Sequence, residues 1–254
     1  MNTVKRANSK LVAKKHKKKK RTNIGAVNKL KRRVKRWLLT TLAVVLGLPI
    51  VLVLLLKLVN PPIWGWEIAR TFFPPQGYPE HSKHQWVPIE SISPSLPLAV
   101  IASEDQRFTE HWGLDVHALW KVLKASGDGG PSRGASTITQ QTAKNVFLFP
   151  SHSYLRKAYE LYLALLIELI WGKERIMEMY LNVVEFGPGI YGVEAASQHY
   201  FGISAAQVSS YQAAQLAVVL PNPYKIHPVP MTNYVYQRVK WVRRQMQNLG
   251  SIAW

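Results

Sequence analysis

Glu104 and Asp105 stand side by side directly after the apolar run Leu98-Ala-Val-Ile-Ala102. Two adjacent carboxylates behind an apolar stretch cannot both be buried cheaply, so one is expected to face a cleft with a perturbed pKa, as a general acid or base must. For this pair alone, solvated acids at a helix C-terminus are the better explanation. Downstream, Gly134-Ala-Ser136-Thr-Ile-Thr-Gln140-Gln141-Thr-Ala-Lys144-Asn145 places Ser136, Gln140 and Lys144 at i, i+4 and i+8. With Ser136 as N-cap these three form a polar stripe, and a helix N-terminus behind a Gly-rich loop with a lysine two turns on suits a phosphate. Arg156 and Glu160 share a helix face at i, i+4 beside Lys157. On a surface such a pair is worth only about 0.3–0.5 kcal/mol. In Lys173-Glu-Arg175-Ile-Met-Glu178-Met-Tyr180-Leu-Asn182 the like charges Glu174 and Glu178 repel at i, i+4, so Glu178 is expected to turn to a partner elsewhere.

Several familiar chemistries are excluded by the same residues. No Gly-Lys-Ser/Thr follows the glycines before Ser136, so they are not a P-loop, and no Gly-x-Ser-x-Gly elbow makes Ser136 a nucleophile. Gly187-Pro-Gly189-Ile-Tyr-Gly192 matches a dinucleotide-binding pattern, but it follows a helical stretch and no acid lies 20 residues beyond it. His81 and His84 fall in a Pro-rich stretch, where two exposed histidines explain them better than a metal site. The chain has no cysteine, so thiolate metal sites and disulfides are absent.

The elements that must position these clusters are helices. Leu155 to Trp171, Lys173 to Leu181 and Tyr211 to Val219 carry apolar residues at helical spacing without strand alternation, and Gly127 to Gly134 reads as a mobile loop between two helical segments. No internal repeat is present. Ahead of them, residues 38–56 are 19 consecutive uncharged residues rich in Leu and Val, enough with Trp37, Leu58 and Val59 to cross a hydrocarbon core of ~30 Å. Pro49 is tolerable in such a helix.

Of 33 Lys and Arg, 16 lie within residues 1–36, and no acid precedes Glu67, so nearly all of the net charge of +19 belongs to the N-terminal tail and the body from residue 67 carries only +2. A nucleic-acid partner is therefore not implied by the basic pI. The run is read as an uncleaved anchor whose tail stays cytoplasmic by the positive-inside rule, with everything after residue 60 outside the cytoplasm. The tail either serves orientation alone or also binds anionic lipid, at up to ~1 kcal/mol per basic residue. The expected organisation is a basic tail over residues 1–36, an anchor over 37–59, a Pro- and aromatic-rich linker over 60–90 and a domain over 91–254. In the linker Trp64, Trp66, Phe72 and Phe73 either meet the membrane interface or pack on the domain.

Taken in order and with these separations, the clusters resemble the motifs of the family 51 peptidoglycan glycosyltransferases. The resemblance runs from about Leu96 to about Pro228 through Glu104-Asp105-x-x-Phe108-x-x-His111-x-Gly113, Gly134-x-Ser136-Thr-Ile-Thr-Gln-Gln141, Arg156-Lys157-x-x-Glu160, Arg175-Ile-x-Glu178-x-Tyr180-Leu-Asn182 and Gln215-Leu-Ala-Val-Val-Leu-Pro221. Bifunctional relatives continue into a transpeptidase domain with Ser-x-x-Lys and Lys-Thr-Gly, and these 254 residues hold neither. The resemblance implies a mainly α, lysozyme-like glycosyltransferase domain behind one N-terminal transmembrane helix, held in the bacterial inner membrane with its catalytic domain periplasmic. Its implied activity is polymerisation of lipid II into β-1,4-linked glycan with release of undecaprenyl diphosphate, without transpeptidation.

By motif position the resemblance makes Glu104 the base and Glu160 the second catalytic carboxylate. Lys144, Arg156 and Lys157 are then cations for the leaving diphosphate. Ser136, Gln140, Gln141 and Asn145 position sugar and phosphate, while Asp105, Glu178 and Tyr180 shape the cleft. A divalent cation, Mg or Mn, is a candidate at the diphosphate, with Glu160 its candidate ligand. Lipid II, the growing strand and other cell-wall synthesis proteins are the implied partners. The sequence departs from many members at His152, where an Arg is usual, which leaves more of the donor-site charge to its neighbours. Two other classes compete: a lytic enzyme would share the glutamate but needs no cation set, and a tethered interaction module needs none of the clusters.

Overall fold

The computed structural model describes residues 2–127, 136–151 and 153–254, with side chains from residue 29 onward apart from a few in the 121–127 stretch. The chain divides into two compact units, up to Leu52 and from Val53 to Trp254. The first is helical throughout: α1 spans Asn2–Leu58, runs through Pro49, and includes the stretch Lys29–Leu58 that is long and apolar enough to cross a membrane. Its Leu38, Leu42, Val44 and Leu48 are exposed. Apolar side chains on all faces of one helix are what a single-pass anchor presents to lipid.

The second unit is mainly helical, as expected. The near-continuous apolar sequence of α3 (Ser95–Glu104) buries Leu96, Ala99, Val100, Ile101 and Ala102, and α3 packs against α9 (Ser210–Val219) and α10 (Asn233–Leu249). A second group joins α5 (Ile138–Phe147) to α6 (Tyr154–Ile170) and α7 (Lys173–Val183). In chain order α4 (Val116–Gly127) lies between α3 and α5. The segment 128–135, which holds most of the expected mobile loop, lies outside the described residues. Serine or threonine caps α5, α6, α9 and α10: Ser153 accepts from the Arg156 amide at 3.1 Å, and Ser209 with Gln212 closes a capping box on α9.

A small sheet of order β1-β3-β2 lies beside this core, with β1 (Lys83–His84) parallel to β3 (Ile190–Tyr191) and β2 (Glu185–Gly187) antiparallel to it. The glycine run that mimics a dinucleotide motif builds this sheet. Gly189 turns β2 into β3 at φ +69°, and Gly192, at φ +78°, starts α8 (Gly192–Phe201) where a Cβ would lie 2.7 Å from the Asn182 carbonyl.

The Pro-rich stretch after α1 carries α2 (Gly65–Phe72), β1 and a 3-10 turn at Ile89–Ser91. Its aromatics divide: Trp64 is 2% exposed in the core and Trp66 is half-buried, whereas Phe72 and Phe73 are exposed. Asn182 fastens the stretch to α7, its side chain accepting from the Val87 amide and donating to the Val87 carbonyl at 2.9 Å each. Within the same unit the last turn of α1 is tied down. Trp171 Nε1 donates to the Val53 carbonyl at 2.7 Å, and Arg175 donates to the carbonyls of Leu56 at 2.8 Å and Val59 at 3.2 Å, groups that a helix end leaves without intrahelical partners.

Candidate active site

The two helical groups meet at the C-terminus of α3. Glu104 is its last residue, and the next peptide leaves the helix with Asp105 as C-cap. The consecutive side chains diverge. Asp105, 6% exposed, holds His111 Nε2 at 2.9 Å and accepts the Ile138 amide of α5 at 3.0 Å. Glu104 is only partly covered, and its Oε2 accepts from Gln141 Nε2 at 3.0 Å while Ser103 Oγ lies 3.3 Å from Oε1. The fully buried Tyr180 of α7 donates its hydroxyl to Gln141 Oε1 at 3.0 Å, which leaves the amide nitrogen to face Glu104. Burial pushes the Glu104 carboxyl above the usual carboxylate range, against the bonds from Gln141 and Ser103 and the attraction of Arg238. Burial drives the Tyr180 phenol further up still, so it stays a neutral donor.

The N-terminus of α5 corrects three expectations. Its N-cap is Thr137, one residue beyond Ser136: Thr137 Oγ1 accepts the Gln140 amide at 3.2 Å, and Gln140 Oε1 accepts the Thr137 amide at 3.1 Å. Gln140 is therefore a buried capping residue, and the stripe Ser136, Gln140, Lys144 does not share one open face. Nor is the helix end open to a phosphate, because Asp105 and Thr137 already occupy amides there. Ser136 instead accepts from Lys157 Nζ at 3.2 Å, and Asn145 is buried on α5.

The cations gather around α6. Glu160, 2% exposed, receives Arg156 Nη1 on Oε2 at 2.7 Å and Lys157 Nζ on Oε1, so a pair that sequence alone allowed to be superficial is seated inward. Arg156 Nε also donates to the Ser151 carbonyl at 2.7 Å. Lys144, on α5, has its ammonium 4.9 Å from the centroid of the Trp66 ring. Burial lowers its pKa from the ordinary lysine value, Glu160 and Glu104 pull it up, and Arg156 and Lys157 push it down. Lys144 thus lies within electrostatic reach of both Glu104 and the α6 cluster. His152 lies outside the described residues. With both Glu160 oxygens engaged by cations and no cluster of three His, Asp or Glu among the described residues, these side chains do not fit a divalent ion.

Glu178 falls away from this group. Two positions before Tyr180, and so nearly opposite it on α7, it pairs with Arg175 and accepts the Ile89 amide at 3.3 Å. Sequence reasoning gave no role to Glu168, a lone acid in the apolar run of α6, which is buried against Thr139 Oγ1 at 2.6 Å and Lys173 Nζ at 2.7 Å. Its isolation among apolar residues was the available signal. Trp66 next to Lys144 had none, since the two belong to distant parts of the chain.

A transglycosylase family model matches residues 73–247. A biosynthetic peptidoglycan transglycosylase of Vibrio parahaemolyticus is 60% identical over 221 residues, which cover 87% of this chain and 98% of that protein. Proteins of the same name from Shewanella oneidensis and Aeromonas hydrophila are 50% and 53% identical, over 87% and 80% of this chain and 96% and 86% of their own lengths. With its mainly helical core and partly buried glutamate in place, this chain belongs to the transglycosylase family of glycosyl-transferring enzymes.

Proposed function

We propose that the domain polymerises lipid II into β-1,4-linked glycan in a single inverting displacement. The observation that carries this reading is the Glu104 carboxylate, raised by burial and aimed by Gln141, with Lys144 within electrostatic reach on one side and toward the Arg156–Lys157–Glu160 group. The acceptor 4-hydroxyl oxygen attacks C1 of the donor sugar as the C1–oxygen bond to the α-linked diphosphate breaks. The electron pair leaves on the diphosphate, and the hydroxyl proton passes to Glu104. Inversion needs no enzyme-bound intermediate, so one base suffices.

A carboxyl raised toward neutral pH is matched to that proton transfer. Lys144, Arg156 and Lys157 supply positive charge for the leaving diphosphate. Glu160 acts by aiming Arg156 and Lys157, and no step is routed through a metal. Gln141 and Tyr180 orient the base, Ser136 and Asn145 border the sugar and phosphate, and Asp105, Gln140 and Glu178 hold the elements that carry these groups. The anchor keeps the domain at the periplasmic face of the inner membrane, where a lipid-linked substrate diffuses in two dimensions, and the activity is glycosyl transfer without transpeptidation.

Incubating the detergent-solubilised protein with radiolabelled lipid II and resolving the product by gel electrophoresis tests this. A ladder of polymer sensitive to a muramidase is expected. Shortening of preformed glycan with no polymer from lipid II would replace the reading with a lytic one.

A further inference from the structure

Lys144 has a burial problem that its neighbours do not share. Glu160 is taken by Arg156 and Lys157, and among the described residues no carboxylate lies within ion-pair distance of the Lys144 ammonium. A half-buried ammonium without a counter-ion is pushed toward its neutral form. What stands against it instead is an indole face: Lys144 Nζ is 4.9 Å from the Trp66 ring centroid. Trp66 reaches α5 because Gly65, at the start of α2, allows a close approach; a Cβ there would lie 3.1 Å from the Leu148 backbone at the end of α5.

The ring is itself held. Trp66 Nε1 donates to Glu185 Oε2 at 3.2 Å, and Glu185, 5% exposed, also accepts from Tyr224 Oη at 2.9 Å and the Gly189 amide at 3.1 Å. Arg70, one turn along α2, places its guanidinium 5.1 Å from the Trp66 centroid. None of these residues has a part in the chemistry set out above.

We propose that Trp66 is a positioning residue for Lys144, its ring face holding the ammonium in the donor site and its N–H, anchored on Glu185, fixing the ring. The advantage over a carboxylate is chemical. A π face stabilises the cation without neutralising it or consuming its three N–H donors, which stay available to a diphosphate. This inference rests on the proposed role of Lys144 at the leaving group.

The charged groups acting on Lys144 are Glu160, Arg156 and Lys157 from α6 and Glu104 from α3, and the Arg70 guanidinium of α2 shares the Trp66 ring with it. Burial lowers the Lys144 pKa, and the ring face opposes that effect.

Fluorotryptophans incorporated at position 66 of the full-length protein in detergent test the proposal, because added fluorines weaken the negative ring face while keeping its shape and N–H. The titration of Lys144 is read by NMR on protein carrying isotope-labelled lysine, with Lys144→Arg assigning the signal. Its midpoint is expected to fall stepwise as fluorines are added, reaching a drop of about one pH unit, and the alkaline limb of lipid II turnover should fall in parallel. A midpoint that stays fixed through the series overturns the proposal and leaves Trp66 as packing. The two readings fail separately. A moving midpoint in a protein that makes no polymer supports the positioning role while removing the proposed function, and a fixed midpoint in an active enzyme removes only the positioning role.

Discussion

Arg156 Nη1 lies 2.7 Å from Glu160 Oε2, one helical turn along α6, and Lys157 closes on the other oxygen of the same buried carboxylate. Such a triad is either a support for the fold or a means of aiming charge at a ligand, and substitution separates the two. Glu160→Gln should lower stability by about 1–3 kcal/mol, because the amide keeps one acceptor oxygen for a cation and turns an NH2 donor toward the other. Turnover of lipid II should fall at least ~10-fold, equivalent to ~1.4 kcal/mol. Arg156→Ala should lose turnover to a similar degree. Thermal melting beside turnover decides: an active Arg156→Ala with unchanged lipid II affinity would make the triad structural only.

Glu104→Gln should abolish polymerisation and leave a fold more resistant to heat. The folded carboxyl is raised above its ordinary value of 4.5, so below that pH both states are protonated and the group favours the fold in full. As pH rises through the folded value, ionising a buried carboxyl costs wild-type stability. The melting advantage of the variant should therefore open at neutral and alkaline pH and close below about pH 4.5. An unchanged difference across that window would place the titration elsewhere.

Gln141→Leu should shift the acid limb of the pH–rate profile upward by about one pH unit, since the lost donor favoured the ionised form of Glu104. Tyr180→Phe should move it less, because the amide keeps its place and loses only the bond that orients it. An acid limb that ignores both changes would detach it from Glu104.

Asp105→Ala should do the reverse of Glu104→Gln and destabilise the unit by about 1–2 kcal/mol, through loss of the bond to the first amide of α5 and of the His111 contact. Chemical denaturation of the two variants side by side should give shifts of opposite sign. Shifts of the same sign would refute the division of labour between these neighbours.

Removing residues 1–52 should leave a unit that melts like the full chain, whereas removing 1–59 should melt lower. The second cut takes away the carbonyls of Val53, Leu56 and Val59 and strands the Trp171 and Arg175 donors. Equal melting temperatures would make those bonds dispensable.

Much of this was legible in the residues. The periods of α6, α7 and α9 are strong because each buries one face, and Glu104, Lys144 and the Arg156–Glu160 spacing stand out by type and distance, whereas only the resemblance gives them roles. What escaped depends on local backbone angles or on distant chain. Ser136 and Thr137 are both good caps, and only the turn at Thr137 decides between them. Strands of two and three residues are too short to alternate. Glu178 was expected to find a partner elsewhere, and that partner includes the Ile89 amide, which no spacing within α7 could reveal. Trp66 meets Lys144, and Glu185 meets Trp66, only through tertiary packing.

The corner between α3 and α5 has a mechanical consequence. Asp105 grips the first residue of α5 while Glu104 is gripped by Gln141, nearly one turn further on. One contact between two rods is a pivot, about which either can still twist. Two contacts set a helical turn apart remove that torsion. The carboxylate therefore has its bearing before any sugar arrives, and the substrate need not supply the energy to aim it. The same corner leaves little slack: a change that tilts α5 by a few degrees turns the base away from its target, even from a position that never touches the substrate.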